Sequence, residues 1–216
     1  MSKESVPLRN FKESDNWDTV IFLYTSALKQ INTKIEILND EFQKRHKYNP
    51  IEHVKSRIKT PESIVKKLKR HGYESSVENM VRYVNDIAGI RITCSFTSDI
   101  YLIADMLSKQ SDLTILALKD YMKNPKKSGY RSYHMLVTVP VYLSDSVVDT
   151  KVEIQIRTVA QDFWATLEHK MHYKFEGDGP DYITRELREC AKYVAELDER
   201  MQELNNEIQK YGKMIN

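Results

Sequence analysis

Glycine is scarce in this chain: six residues among 216, with neither a GxxxxGK[ST] nor a GxGxxG run. A nucleotide bound here has its phosphates held by side chains, because no glycine-rich backbone loop is present to cradle them. Long apolar runs are missing too. No stretch approaches the ~20 residues of a membrane span, and the opening MSKESVPLRN has no signal-peptide core. Cysteine occurs twice, at Cys94 and Cys190, far apart and on apolar strand or helix faces. That usage points to a reduced, cytoplasmic setting and not to a disulfide framework. There is no HExxH; Glu168, His169 and His172 have a different spacing and no third ligand. A helix face that packs or hydrogen-bonds to a sheet explains them better than zinc does. Neither sign of charge dominates. With 33 basic and 31 acidic residues the net charge is +2, which does not require a nucleic-acid partner.

Short alternating segments are present. In KVEIQIRTVAQDFW, Lys151–Trp164, Val152, Ile154 and Ile156 alternate with Glu153, Gln155 and Arg157. The period of two predicts a strand with one aliphatic face, and Thr158 then caps a helix over Val159–Phe175. Tyr133, Met135, Val137 and Val139 form an apolar face in Tyr130–Val139, opposite Ser132, His134 and Thr138. Ile90, Ile92, Cys94 and Phe96 do the same in Gly89–Phe96, opposite Arg91, Thr93 and Ser95. If these strands share a sheet, one face packs on helices. The other is a polar floor carrying Arg91, His134, Glu153, Gln155 and Arg157.

Two long helical patterns flank this region. Trp17, Ile21, Tyr24, Leu28, Ile31, Ile35, Leu38 and Phe42 recur at spacings of four and three. Ile183, Leu187, Cys190, Val194, Leu197, Met201, Leu204 and Ile208 repeat that rhythm near the other end, after Gly177-Asp178-Gly179-Pro180. Each implies roughly 40 Å of helix or more, longer than a small domain needs, so the seams are expected to join subunits. The division expected is 1–48 as an oligomerising helix, 49–176 as the core and 177–216 as a second oligomerising helix. The core should be an α/β domain: a mixed sheet of about four or five strands flanked by helices.

His46–Ile58 reads as a linker, and Thr60, Pro61 and Gly72 bracket a short helix as N-cap, first position and C-terminal stop. Seven basic residues lie between Lys55 and Arg70. Arg57, Lys59, Ser63 and Lys67 gather at or near that helix's N-terminus, where free N–H groups already favour an anion. Ser75 and Glu78 form a capping-box pattern for a helix to about Val84. Asp86 precedes one strand and Glu153 lies on the polar face of another. Magnesium is commonly held by one or two carboxylates plus substrate phosphates, so the pair suits phosphoryl-type transfer. Lys123–Gly129, KNPKKSG, is a basic loop opening into the strand of His134.

Several ordered motifs carry a family resemblance. Asn49-Pro50-Ile51-Glu52, Ser56-Arg57-Ile58-Lys59, Asp86-Ile87-Ala88-Gly89-Ile90-Arg91, Ser128-Gly129-Tyr130-Arg131-Ser132-Tyr133-His134, Val152–Thr158 and Phe163–His169 resemble the synthetase domain of RelA/SpoT proteins. The length resembles a stand-alone small alarmone synthetase, and NPIEHVKSRIK and FTSDIYLIADML resemble the RelP type more than the RelQ type. The resemblance implies transfer of pyrophosphate from ATP to the ribose 3′-hydroxyl of GDP or GTP, giving ppGpp or pppGpp and AMP. It implies that Arg57 and Arg91 stack on the adenine and that Lys59, Ser63 and Lys67 hold the ATP phosphates. Asp86 then binds Mg2+, and Glu153 assists it and takes the 3′-hydroxyl proton. Tyr130 stacks on guanine, with Lys126, Ser128, Arg131, His134 and Gln155 on the acceptor side. A homotetramer is implied as well. Ala117 stands where longer relatives often carry a charge, which bears on the choice between GDP and GTP.

The competing class is a single-stranded RNA-binding module that uses Tyr130, Tyr133 and the lysines as a stacking and charge surface. That reading gives Asp86 and Glu153 no purpose, since they repel phosphate without a metal. A plain oligomeric scaffold leaves the whole polar floor unexplained.

Overall fold

The computed structural model describes residues 17–174 and 181–214. Phe175 and the Gly177–Pro180 connection fall outside them. The described elements run α1 (Trp17–His46), β1 (Ile51–Ile58), α2 (Pro61–Arg70), α3 (Val77–Tyr83), β2 (Ala88–Cys94), α4 (Thr97–Ser108), β3 (Thr114–Asp120), β4 (Tyr133–Tyr142), β5 (Val147–Thr158), α5 (Val159–Lys174) and α6 (Asp181–Met214). The five strands form one mixed sheet in the order β1-β2-β5-β4-β3. Only β2 and β5 run parallel; the other pairs are antiparallel. No helix among the described residues is long and apolar enough to cross a membrane.

The aliphatic faces meet as the alternation predicts. Ile90 and Ile92, Met135, Val137 and Val139, and Val152, Ile154 and Ile156 are buried in one core. Onto it α4 packs Ile100, Ile103, Ala104 and Leu107.

The first seam is different from the expectation. Tyr24, Leu28, Ile31 and Ile35 are buried within the chain, alongside Val20, Leu23 and Ala27. Burying the five aliphatic residues Val20, Leu23, Leu28, Ile31 and Ile35 at about 1.5–3 kcal/mol each is comparable to the whole stability of a domain, about 5–15 kcal/mol. α1 therefore belongs to the core of one subunit, and these seam residues are used within the chain. Four-and-three spacing serves a helix lying on a sheet as well as it serves a coiled coil. On α6 the outcome is the reverse: Leu197, Met201, Leu204 and Ile208 are 53%, 47%, 47% and 66% exposed.

Local signals explain the helix ends. The Thr60 side chain accepts from the Ser63 N–H, Pro61 opens α2, and Gly72 follows it at φ 78°, the left-handed conformation that stops helices. Thr158 caps α5 reciprocally: Gln161 N–H donates to Thr158 Oγ1 at 3.1 Å, and Thr158 N–H donates to Gln161 Oε1 at 3.2 Å. The cap of α3 is Ser76, accepting from Asn79 N–H at 3.1 Å, one residue beyond the expected Ser75. His46–Ile58 is not simply a linker, because Ile51–Ile58 is the edge strand β1.

Candidate active site

Strand register assembles the polar floor. Arg91 pairs with Gln155, Gln155 with His134, and Glu153 with both Gly89 and Leu136. Arg57 on β1 lies opposite Gly89, its side chain crossing above that residue. Two adjoining cavities of about 210 and 500 Å3 open on the floor, within the usual range for small-molecule sites once joined. Both are lined by Arg57, Asp86, Arg91, Glu153 and Gln155.

On one side of the floor, Asp86 sits just before β2. Lys59 Nζ reaches its Oδ2 and Lys67 Nζ its Oδ1, each at 2.8 Å. Burial pushes the Asp86 carboxyl up, but the two ammonium groups more than offset this and hold it below the ordinary carboxylate range. Arg91 Nη1 lies 3.2 Å from Asp162 Oδ1 on α5, and the same oxygen meets Arg157 Nη1 at 3.2 Å. Burial, and the neighbouring Arg157 and Arg57, pull the Arg91 pKa down.

On the other side, the basic loop brings Lys126, Ser128 and Tyr130 to the larger cavity. Tyr130 lies in the approach to β4, three residues before the strand begins, and not within it as expected. Lys126 Nζ stands 4.6 Å from the Tyr130 ring centroid and 4.9 Å from that of Tyr121, a cation–π arrangement. The Tyr130 hydroxyl is 2.8 Å from His134 Nε2. His134 Nδ1 is 3.5 Å from Glu153 Oε1, and Gln155 Nε2 donates to Glu153 Oε2 at 2.8 Å. Burial raises the Glu153 carboxyl, yet the His134 and Gln155 contacts bring it below its ordinary value, against the opposing charge of Asp86. Asp86 and Glu153 are thus both carboxylates at neutral pH.

The expected residues Arg57, Lys59, Lys67, Asp86, Arg91, Lys126, Ser128, Tyr130, His134, Glu153 and Gln155 come together around this floor. Two others do not. Arg131 turns away: its Nη1 donates to the Met122 carbonyl at 2.8 Å, and it lines a separate cavity with Asp198 and Gln202 of α6. Adjacent residues in extended backbone point to opposite faces, so Tyr130 and Arg131 cannot both face the floor. Ser63 lies on the exposed first turn of α2, its Oγ accepting from Thr60 Oγ1 at 3.0 Å, outside the lining of both cavities.

Three further residues shape the site. Asp162 ties Arg91 to Arg157. Arg157 was legible on the polar face, but its partners were not. Lys151 continues the polar row of β5 and is 3% exposed. Its Nζ donates to Asn85 Oδ1 at 2.8 Å and to the Arg82 carbonyl at 3.3 Å, gripping the turn that delivers Asp86. Burial pushes its pKa down to about 8.

Asp86 and Glu153 offer ionised oxygen ligands, and no group of three or more His, Cys, Asp or Glu among the described residues forms an all-protein cage. Two carboxylates facing a basic pocket fit a hard cation that takes its remaining ligands from phosphate and water.

Lysines aimed at one carboxylate, a second carboxylate across the sheet, and arginine and tyrosine faces between them make a charged, nucleotide-sized site on an α/β domain. Residues 56–178 match the family described as the region found in RelA/SpoT proteins, and the chain belongs to that family. It is 46% identical over 194 residues to the Bacillus subtilis protein YwaC, a GTP pyrophosphokinase, covering 90% of this chain and 92% of that one. The crystal structure of small alarmone synthetase 2 from B. subtilis superposes with a TM-score of 0.82 at 45% identity, over 89% of this chain and all of the other. Small alarmone synthetase 1 from the same organism, bound to its product pppGpp, gives a TM-score of 0.83 at 34% identity, over 89% and 98% of the two chains.

Proposed function

We propose that this chain transfers pyrophosphate from ATP to the 3′-hydroxyl of GDP or GTP, giving ppGpp or pppGpp and AMP. The observation that carries the reading is the placement of ionised Asp86 and Glu153 on one floor, between a lysine pair and the Tyr130–His134 pair. Its relatives' description as a GTP pyrophosphokinase and a pppGpp-bound synthetase supports it.

Phosphoryl-type transfer is mainly positioning and charge neutralisation. Arg57 and Arg91 take the adenine between them. Lys59 and Lys67 leave Asp86 for the phosphates of ATP. Asp86 and Glu153 would hold Mg2+ together with the substrate phosphates, and the ion would supply charge neutralisation at the transferring group. Tyr130 stacks on the guanine once Lys126 swings from its ring to the acceptor's 5′-phosphates. Gln155 and His134 position the acceptor beside Glu153. Glu153 accepts the 3′-hydroxyl proton as that oxygen bonds to the β-phosphorus, and the bond to the α-phosphate breaks to release AMP.

The exposed stripe of α6 is covered by further copies of the chain in a homotetramer, and the enzyme works in the cytoplasm. Incubation with Mg2+, ATP and either GDP or GTP, with AMP followed by chromatography, tests the activity. AMP released equally without a guanine nucleotide overturns the proposal.

A further inference from the structure

Three lysines converge on the turn between α3 and β2. Lys59 and Lys67 hold the Asp86 carboxylate, each at 2.8 Å. Lys151 Nζ donates to Asn85 Oδ1 at 2.8 Å and to the Arg82 carbonyl at 3.3 Å. The turn lies outside the sheet: the pairing of β2 begins at Ala88, and the Lys59 N–H donates to the Ile87 carbonyl at 2.8 Å just before it. Lys151 stands two residues before Glu153 on β5, so both side chains leave the same face of the strand. The strand that carries one carboxylate therefore grips the turn that carries the other.

Both acceptors of Lys151 are neutral, and an ammonium only 3% exposed is costly to bury without a counter-charge. A cation near the last carbonyls of α3 complements the helix dipole. That accounts for the bond to Arg82 but not for the shorter one to Asn85. In the proposed transfer Lys59 and Lys67 move from Asp86 to the ATP phosphates, and of the three lysines only Lys151 then still holds the turn. We propose that Lys151 is a positioning residue that keeps Asp86 at a fixed separation from Glu153, so that the two carboxylates can share one hard cation. It acts through Asn85 and touches neither nucleotide nor metal. Mg2+ demands near-ideal octahedral geometry, so a small shift of the turn weakens its hold, whereas long lysine and arginine side chains follow a phosphate through such a shift. The inference rests on the proposed function, in which Asp86 and Glu153 are the metal-holding pair.

The test is calorimetric titration of the full chain with α,β-methylene-ATP, whose carbon bridge blocks transfer, once with Mg2+ and once with EDTA. In the wild type Mg2+ should tighten binding. Lys151→Met keeps the length of the side chain without its charge, and Asn85→Ala removes the partner and leaves Lys151 in place. In both variants the tightening by Mg2+ should shrink by about 10-fold or vanish, the scale of one lost hydrogen bond to a charged group, with the dissociation constant in EDTA nearly unchanged. If Lys151→Met fails to fold, Asn85→Ala, at an exposed position, carries the test alone. A tightening equal to the wild type's in the folded variants overturns the inference while the metal pair stands. Equal weakening with and without Mg2+ overturns it as well, because that marks a loosened site and not a displaced carboxylate. If the wild type binds no better with Mg2+, the metal pair of the proposed function fails and takes this inference with it.

Discussion

Gly129 approaches Ala191 so closely that a Cβ at position 129 would lie 2.5 Å from the Ala191 Cβ. This contact seats the basic loop of Lys126 and Ser128 against α6. A second contact works nearby, where Trp164 Nε1 of α5 donates to the Leu187 carbonyl of α6 at 2.9 Å. The C-terminal helix therefore braces two walls of the larger cavity at once. Gly129 is also held at φ 92°, which costs a residue with a Cβ about 1–2 kcal/mol.

Gly129→Ala should combine that strain with an overlap of about 1–3 kcal/mol. In a chain of this size each 1 kcal/mol lowers Tm by about 2–4 °C. Calorimetry should show the drop, and kinetics should show a higher acceptor KM with the ATP KM nearly unchanged. Adding Ala191→Gly should recover the overlap but not the backbone strain. A double variant no more stable than Gly129→Ala would show that the Ala191 contact is not the cause.

Glu153→Gln keeps shape and removes charge at the residue placed to accept the 3′-hydroxyl proton. Turnover should fall ~10²-fold or more, the range of general-base loss, while circular dichroism remains that of the wild type. A folded Gln variant with near-normal kcat would assign the base elsewhere.

Lys151 gives a pH signature. Burial takes its pKa from 10.5 to about 8 in the folded chain. Between those values the unfolded chain binds more protons than the folded one, so this group's contribution to stability rises with pH. Lys151→Met lacks that contribution. Urea unfolding at pH 7, 8, 9 and 10 should therefore show the stability difference moving in the wild type's favour as pH rises through 8. A difference constant across the series would mean that Lys151 titrates no lower when folded than when unfolded.

Much of the floor is legible because alternation is local: Glu153, Gln155 and Arg157 share a face whatever lies beside them. β1 was hidden. Ile51, Val54 and Ile58 are its half-buried residues, with the rest exposed and a register shift near Ile51 and His53. An edge strand paired on one side needs no strict period of two, so Ile51–Ile58 shows none. Asp162 was hidden for another reason. It lies in the first turn of α5, where an acid is already explained by the helix dipole, and only the fold brings Arg91 and Arg157 to it. The grip of Lys59 and Lys67 on Asp86 spans 27 and 19 residues of sequence. Neither distance is written in any local pattern.

The two seams make opposite predictions although they share one spacing. Leu28 is 7% exposed and packed in the core, so Leu28→Asp buries a charge with no partner in sight and should unfold the chain, at a cost of several kcal/mol. Leu204 is 47% exposed and lies between Met201 and Ile208, 47% and 66% exposed. Between one and two turns earlier, the inward side of α6 carries Asp198, hydrogen-bonded to Thr158 Oγ1 and Gln161 Nε2 at 2.8 Å. On this part of α6, Asp198 thus faces the chain's own fold while Leu197, Met201, Leu204 and Ile208 face out, the arrangement expected of a helix that buries its stripe against another copy. Leu204→Asp should leave the core folded and break the proposed assembly. Multi-angle light scattering should show a smaller species than the wild type, with an unchanged circular dichroism spectrum. A variant that keeps the wild-type mass would place the subunit contact elsewhere, with the exposed Val159, Phe163 and Leu167 of α5 the next surface to test by the same substitution.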